Sequence, residues 1–349
     1  MIKVGIIGFG YMGQFHLNKM KQFDDVKAVC AFDNDESKLK DAKDAGMEAY
    51  DTLEKFIEQE LDLVIIATPN QWHAQYAIAC MQSGSHVLCE KPATMSVKEL
   101  DEVIACSEET GKFFTVHQQR RFDSDYRAIC EVINKGTIGN VTTIESRVLG
   151  ERGVCFGWRA EPEYGGGMLY DWGVHLIDQI LMLYPGEQVV SVNARILSIL
   201  TPKVDDFFEI TMMLSNGVCA KVIVGTFALQ KLPRWFVFGD RGTMKLDNLC
   251  STEGGIARIK GDVEGFDSVV GQKVIGPSRT MAPLKPEYLE TIAVPEQENM
   301  DMEFWNNIVA AVKGEAVPYV TTEQIRRQML IVEKAFEASK TNQTIKTSI

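Results

Sequence analysis

The sequence predicts an α/β fold in two domains: a doubly wound parallel sheet, then an α+β domain on an open, mostly antiparallel or mixed sheet. Up to residue 120, short apolar runs alternate with helical patterns, which is typical of parallel strands joined by crossover helices. After that point, strand-like runs follow one another with few helices between them, which favours antiparallel pairing. A chain of 349 residues is long enough for two cores. We therefore expect one domain over residues 1–120 and a second over residues 121–349.

Six apolar runs in the first domain have the length and composition of buried strands. They are Ile2–Ile7, Val26–Phe32, Met47–Tyr50, Leu63–Ala67, His86–Cys89 and Phe113–Val116. Helical patterns lie between them near 12–22, 36–45, 52–60, 73–83 and 96–110. Ser96 with Glu99 forms a capping box, and Gly84 and Gly111 stand where two helices should end. This alternation predicts a parallel sheet with helices on both faces.

The second domain begins with a helical pattern at about 124–135. Strand-like runs follow at Val141–Val148, Val189–Ile199, Phe207–Leu214, Val218–Thr226, Trp235–Phe238 and Thr243–Leu246, with one helical pattern near 171–184. Residues 252–295 show no regular pattern, and we expect irregular structure there. Helical patterns at about 301–313 and 322–340 close the chain, where they could pack back on the first domain.

Charge and cysteine usage exclude several classes of function. With 48 acidic and 36 basic residues the formal charge is −12, so nothing indicates binding to nucleic acid or to an anionic membrane. None of the eight cysteines forms a C-x-x-C pair, so neither a disulfide framework nor a metal site is expected. No stretch approaches the ~20 apolar residues of a membrane span, and no signal sequence precedes the first apolar run. These features predict a cytoplasmic protein.

The most informative local motif is Gly8-Phe9-Gly10-Tyr11-Met12-Gly13, which matches G-x-G-x-x-G. It follows the first predicted strand and opens the first predicted helix, the context in which this motif binds a dinucleotide. The glycines permit a tight turn and a close approach to the pyrophosphate, and the helix N-terminus offers N–H groups to the phosphates. The motif therefore predicts a Rossmann domain. A glycine-rich turn without a ligand is the alternative.

Asp33 indicates which nicotinamide cofactor is bound. It ends the second predicted strand, 20 residues after Gly13 (33 − 13), the spacing expected of the acid that binds the ribose. A carboxylate accepts hydrogen bonds from ribose hydroxyls and repels a 2′-phosphate, and the next residue is Asn34 rather than a basic residue. NAD is therefore favoured over NADP. The alternative is that Asp33 only caps a turn with Asp35.

Two further segments follow predicted strands of the parallel sheet. Thr68-Pro69-Asn70 follows the fourth strand, and Glu90-Lys91-Pro92 follows the fifth. Ligands of doubly wound sheets bind at the carboxyl edge, where both segments should lie. Position therefore favours a functional role for Lys91 over that of an ordinary surface lysine.

With these residues assembled, the chain resembles the Gfo/Idh/MocA family, named for glucose–fructose oxidoreductase, inositol dehydrogenase and a rhizopine-catabolism protein. The shared segments are Gly8–Gly13, Ala67–Asn70 with His73, Cys89–Pro92, Arg120–Phe122 and, most distinctively, GGGMLYDWGVHLID at Gly165–Asp178. The resemblance covers residues 1–185 closely and the remainder loosely. It implies a Rossmann domain and a C-terminal domain on an open mixed sheet. It also implies a homodimer or homotetramer formed through that sheet, and redox chemistry on a secondary alcohol of a sugar, cyclitol or related polyol.

The family's functional residues carry over by position. Lys91 and His175 match the catalytic pair, and Asp171 matches the acid beside the histidine. Five residues match those that line the cofactor in the family: Thr68, Pro69, Asn70, His73 and Glu90. The pair Trp158-Arg159 resembles residues that reach the cofactor in some members. Gln119 departs from the family, which commonly has Asn before Arg-Arg-Phe, so the family's substrate contacts are not carried over to this segment.

The chemistry of these residues suits hydride transfer. The carbinol must lose a proton as its carbon loses hydride, and histidine titrates near neutrality. Asp171 and His175 are four residues apart, so on a helix they would share a face and interact. Lys91 would polarise the substrate oxygen, and the glycines before Asp171 would leave room for a ligand.

Other interpretations of these residues remain open. His175 could be a helix histidine satisfied by a neighbour, and we expect His16, His86 and His117 to be structural and Trp172 to belong to the core. A glycosidase using NAD for transient oxidation, or a nicotinamide- or sugar-sensing protein without turnover, would share the fold. A biliverdin-reductase-like activity is disfavoured by the acidic charge.

Overall fold

The described residues form two sheets, one of six strands and one of nine. The computed structural model describes residues 1–261 and 284–349. No helix in these two ranges is long and apolar enough to cross a membrane. The first sheet is wholly parallel and the second is mixed, as the sequence predicts.

The first sheet has helices in every crossover. Its strands are β1 (Ile2–Ile7), β2 (Val26–Phe32), β3 (Glu48–Tyr50), β4 (Leu63–Ile66), β5 (His86–Cys89) and β6 (Phe114–Val116). Its helices are α1 (Tyr11–Met20), α2 (Glu36–Asp44), α3 (Leu53–Ile57), α4 (His73–Gln82) and α5 (Val97–Thr110). The strand order is β3-β2-β1-β4-β5-β6, so the direction of winding reverses between β1 and β4. Doubly wound sheets open a ligand crevice at the carboxyl edge beside this reversal.

The second sheet contains every later strand of the described residues. These are β7 (Val141–Leu149), β8 (Val189–Leu197), β9 (Phe207–Leu214), β10 (Cys219–Gly225), β11 (Trp235–Gly239), β12 (Gly242–Leu246), β13 (Gly254–Ile259), β14 (Leu289–Ile292) and β15 (Ile345–Lys346). The order is β14-β13-β12-β11-β7-β10-β9-β8-β15, and of these pairs only β7 with β10 is parallel. The later helices are α6 (Ser124–Asn134), α7 (Val174–Leu183), α8 (Asp301–Val312) and α9 (Thr322–Thr341).

The expectation of irregular structure over 252–295 is wrong for two segments, because β13 and β14 pair there. Gly254 and Gly255 open β13 and hide its strand pattern. β14 is a four-residue strand at the edge of the sheet, with exposed and half-buried side chains, too short to show a period. Residues 262–283 of this expectation lie outside the described residues.

One face of the second sheet forms the core with α6, α7 and α9, and the opposite face stays open. Along β9, Phe208, Ile210, Met212 and Leu214 are buried, while the alternating side chains are only half-buried. This period of two is expected of a strand with one covered face. α8 and α9 also pack back on the first half, where the Trp305 ring lies against two histidines.

The turn between β1 and α1, with the first turn of α1, contains three glycines with different surroundings. Gly8 has a φ of +86°, and a Cβ there would lie 2.6 Å from the carbonyl oxygen of Ala67. A Cβ on Gly13 would lie 2.2 Å from the carbonyl oxygen of Gly8. A Cβ on Gly10 would meet no atom within 4 Å. Gly8 and Gly13 therefore let backbone segments touch, whereas Gly10 borders the space that a pyrophosphate would need.

This contrast predicts opposite results for two alanine substitutions. Gly13→Ala should lower the free energy of unfolding by about 2–3 kcal/mol, because its Cβ meets backbone that cannot move aside. Gly10→Ala is the matched control and should change the free energy of unfolding by less than about 1 kcal/mol, yet weaken NAD binding at least tenfold. Urea unfolding and cofactor titration measure both quantities. Equal unfolding midpoints for the two variants would contradict the conclusion that Gly13 packs against backbone whereas Gly10 borders open space.

Candidate active site

Asp33 ties the glycine turn to the end of β2. Its Oδ2 accepts the N–H of Phe9 at 2.8 Å, and its Oδ1 accepts the N–H of Asp35 at 3.0 Å. Asp33 therefore does cap the turn at Asp35, the alternative role considered for it, but this contact uses only Oδ1. Each carboxylate oxygen can accept a second hydrogen bond. The half-buried carboxylate therefore keeps capacity for ribose hydroxyls at the carboxyl edge of the sheet.

Asn70 and His73 join the loops at this edge. The buried Asn70 side chain donates from Nδ2 to the carbonyl oxygen of Gly165 at 2.7 Å. His73 lies with Nδ1 2.8 Å from the carbonyl oxygen of Pro92 and Nε2 3.0 Å from that of Thr68. Burial lowers the pKa of His73, against the opposing effect of the two carbonyl groups. Both side chains therefore shape the edge through contacts with the protein itself.

The residues present at the edge suit a nicotinamide dinucleotide. Gly10 leaves open space for the pyrophosphate. Thr68 carries a buried hydroxyl oxygen that has no hydrogen-bond partner among the described residues. Four other predicted residues have exposed or half-buried side chains: Tyr11, Met12, Pro69 and Trp158. A phosphate would accept hydrogen bonds mainly from the backbone N–H groups that open α1, which have no side-chain cap.

Glu90 lies in a buried cluster behind this edge. Its Oε1 is 2.8 Å from His16 Nε2 and 2.9 Å from His117 Nδ1, and aromatic rings of α8 cover both histidines. Burial alone would raise the pKa of the Glu90 carboxyl, but the charges and hydrogen bonds of His117 and His16 hold that pKa well below its usual value. Glu90, the residue directly before Lys91, is therefore held by His16 and His117, the two histidines that we expected to be structural.

Lys91 and Asp171 meet across the two halves of the molecule. Lys91 Nζ donates to Asp171 Oδ1 at 2.6 Å and to its carbonyl oxygen at 2.8 Å. Arg159 Nε approaches the same Oδ1 at 3.4 Å, and its guanidinium lies over the ring of Trp158. Burial would raise the pKa of the Asp171 carboxyl, but the charges of Lys91 and Arg159 outweigh burial and lower it. The structure thus brings these four predicted residues together.

His175 does not make the expected contact with Asp171. Residues Leu169–Gly173 form a π-helical turn before α7, so the pair does not follow α-helical spacing, and Asp171 is occupied by Lys91. The buried His175 instead places Nδ1 2.8 Å from Gln118 Oε1.

The pKa of His175 also differs from the expectation of titration near neutrality. Burial lowers the pKa first, and the charges of Lys91 and Arg120 add to this, so that it lies well below the usual value. His175 is therefore a neutral imidazole at pH 7, with the capacity to accept a proton.

The three glycines before Asp171 do not leave room for a ligand as expected. A Cβ on Gly165 would lie 2.9 Å from Asn70 Cβ, and one on Gly166 would lie 2.4 Å from the carbonyl oxygen of Arg159. A Cβ on Gly167, whose φ is +104°, would lie 2.2 Å from Asp205 Oδ1. These glycines are needed because neighbouring chain segments pack against them.

Trp172 is half-buried and packs against the core, as expected, and it also borders His175. Its ring lies 6.3 Å from the ring of His175, and the Arg120 guanidinium lies 4.3 Å above it. Trp172 also lines a cavity of about 310 Å³ in the second half, together with polar residues such as Arg147, Asn248 and Arg234. Sequence patterns predicted neither Gln118 nor this cavity as part of the site. The position of Gln118 just after β6, at the same edge of the sheet as Lys91, could have indicated its role.

Two family models match the chain. The model described as "Oxidoreductase family, NAD-binding Rossmann fold" matches residues 2–118. The model described as "GFO/IDH/MocA C-terminal domain" matches residues 126–245. Together they cover the parallel sheet and most of the mixed sheet.

Individual relatives agree with these matches. The scyllo-inositol 2-dehydrogenase (NADP(+)) of Bacillus subtilis strain 168 is 27% identical, over 99% of this chain and 95% of its own length. The myo-inositol 2-dehydrogenase of Thermotoga maritima is 25% identical, over 75% and 80%. A solved NAD-binding protein from Listeria innocua is 34% identical, with a TM-score of 0.94 over 99% of both chains. The chain therefore belongs to the Gfo/Idh/MocA family of oxidoreductases, with an NAD(P)-binding Rossmann domain.

Proposed function

We propose that the protein is a dehydrogenase that moves a hydride between NAD and a secondary alcohol or ketone of a sugar, cyclitol or related polyol. The observation that carries the proposal is the Lys91–Asp171 pair at the carboxyl edge of a dinucleotide-binding sheet. The charge of Lys91 also helps to lower the pKa of His175, so it acts on the neutral histidine of the same site. Two relatives named as inositol dehydrogenases support the substrate class. Neither a glycosidase nor a sensor gains support from the named relatives.

The side chains divide the work of the reaction. When bound, the nicotinamide ring exchanges the hydride with the substrate carbon. His175 takes the carbinol proton, which a neutral imidazole can do. The ammonium of Lys91 stabilises negative charge that develops on the substrate oxygen. Asp171 holds Lys91 at two points and so fixes where that charge is delivered.

The catalytic assignment predicts losses that appear mainly in kcat. His175→Ala should lower kcat by ~10²–10⁴-fold, the usual contribution of a positioned acid–base group. Lys91→Met keeps the stem but removes the charge, and should cost a similar factor while NAD affinity changes by less than about threefold. Asp171→Asn should cost less, because the lysine remains.

A panel of polyols, cyclitols and aldoses, assayed through the absorbance of the reduced cofactor, first identifies the substrate for these measurements. His86→Gln is the control, because His86 stacks on Phe113, the residue before β6, apart from Lys91 and Asp171. It should keep kcat within about twofold. Retention of more than half of the wild-type kcat by His175→Ala would exclude the proposed proton transfer.

We also propose that NAD is preferred over NADP, although one relative is named as an NADP enzyme. The carboxylate of Asp33 would repel a 2′-phosphate, and Asn34 offers no positive charge. The wild-type protein should therefore bind NAD more tightly than NADP by at least ~1.4 kcal/mol, which is a factor of ten. Asp33→Ser combined with Asn34→Arg should narrow or invert the difference. Equal affinity of the wild-type protein for both cofactors, in calorimetric titration, would refute the role given to Asp33.

A homodimer or homotetramer through the second sheet is a further part of the proposal. The open face carries Phe236 and Phe238 on β11, with their ring centroids 4.7 Å apart, and Phe238 is 39% exposed. Such a face is stabilised when a second copy covers it. Phe238→Asp should therefore shift the protein towards monomer in light scattering, whereas Val317→Asp, on an exposed loop between α8 and α9, should not. A wild-type monomer at micromolar concentration would exclude this assembly.

A further inference from the structure

Gln118 is the side chain that holds His175, although it belongs to none of the motifs on which the resemblance to the family was recognised. It lies two residues beyond β6, at the carboxyl edge of the first sheet, and only 2% of it is exposed. Its Oε1 lies 2.8 Å from His175 Nδ1. The contact crosses from one half of the molecule to the other, because His175 lies on α7.

The chemistry of this contact decides where the histidine carries its proton. The amide of Gln118 is oriented with Oε1 towards Nδ1 of His175, and because a carboxamide oxygen can only accept a hydrogen bond, Nδ1 donates in this orientation. A neutral imidazole has one N–H, and Nε2 therefore keeps its lone pair. We propose that Gln118 is a positioning residue that fixes His175 as the Nδ1–H tautomer, with Nε2 ready to accept the carbinol proton. This inference rests on the proposed dehydrogenase function.

The charges around His175 explain why an amide serves here better than a carboxylate. Lys91, Arg120 and His117 disfavour an imidazolium, and Glu90 favours one. Burial is the largest cause that lowers the pKa of His175, and together with the charges of Lys91 and Arg120 it holds the pKa well below the usual value. A carboxylate at position 118 would stabilise the imidazolium, as the aspartate of a catalytic triad does. The neutral amide orients the ring without adding charge, and the base form persists below pH 6.5.

The protonation of His175 should make the rate of alcohol oxidation depend on pH. A lowered pKa means that His175 loses its base form only when the pH falls well below the ordinary histidine range. The acid limb of kcat/KM for alcohol oxidation should therefore lie below pH 6.5 in the wild-type protein. Gln118→Glu keeps the length of the side chain and adds a negative charge, so it should move this limb upward by one pH unit or more.

Removal of the acceptor should act differently. Gln118→Leu leaves Nδ1 without a partner, so both neutral tautomers become populated and some molecules carry the proton on Nε2. We expect kcat to fall about tenfold or more while KM changes by less than about threefold. Gln328→Leu is the matched control, because Gln328 is also buried and donates to the carbonyl oxygen of Val174, on the same helix as His175. It should lower stability without a change in the acid limb.

The decisive measurement is ¹⁵N NMR of the imidazole nitrogens in histidine-labelled full-length protein, which does not depend on a known substrate. The His175 signals are identified by their loss in His175→Gln. The wild-type protein should show a protonated Nδ1 and an unprotonated Nε2 down to a pH below 6.5. Gln118→Glu should show imidazolium at higher pH, and Gln118→Leu a mixture of tautomers.

A wild-type proton on Nε2, or a tautomer unchanged by Gln118→Leu, would overturn the role of Gln118. Failure of every polyol in the activity panel would instead count against the proposed function, because the NMR result is obtained separately. The two failures are therefore distinguishable.

Discussion

The ion pair between Lys91 and Asp171 is the contact on which the geometry of the site depends. Their side chains are 14% and 19% exposed, so either charge alone would be costly at this position. A buried pair of this kind contributes little net stability, since desolvation offsets the attraction. The pair instead determines geometry: it holds the end of β5 against the turn before α7 and fixes the position of the Lys91 ammonium. The paired oxygen and carbonyl of Asp171 restrict the lysine more closely than one contact would.

A second buried charge lies directly behind this pair. Glu90 is held by His16 from α1 and His117 from the end of β6, so three elements of the first half share one carboxylate oxygen. α8 closes over these rings with Phe304 and Trp305. Because α8 lies in the last 50 residues of the chain, the surroundings of the residue before Lys91 are completed by a closing helix. Local order at the lysine therefore depends on long-range packing.

Much of the architecture follows from local patterns. The alternation of strands and helices, the motif at Gly8–Gly13 and the position of Asp33 depend on neighbours in sequence, because backbone conformation and the period of side chains are set over a few residues. The resemblance to the family placed Lys91, Asp171 and His175 in one site. β13 escaped prediction because Gly254 and Gly255 carry no side chains from which a period could be recognised.

Sequence motifs and the family resemblance predicted most of the residues near the carboxyl edge of the first sheet, though not Gln118, and tertiary structure decided which of them touch. Asp171 pairs with Lys91 rather than with His175, because a π-helical turn alters the helical spacing and a cation from the other half arrives there. His175 is held by Gln118, and burial lowers its pKa, because a distant segment of the chain encloses the ring. Trp172 borders a cavity for the same reason. Hydrogen-bond partners and desolvation depend on segments that meet only in the folded chain, and no local pattern records them.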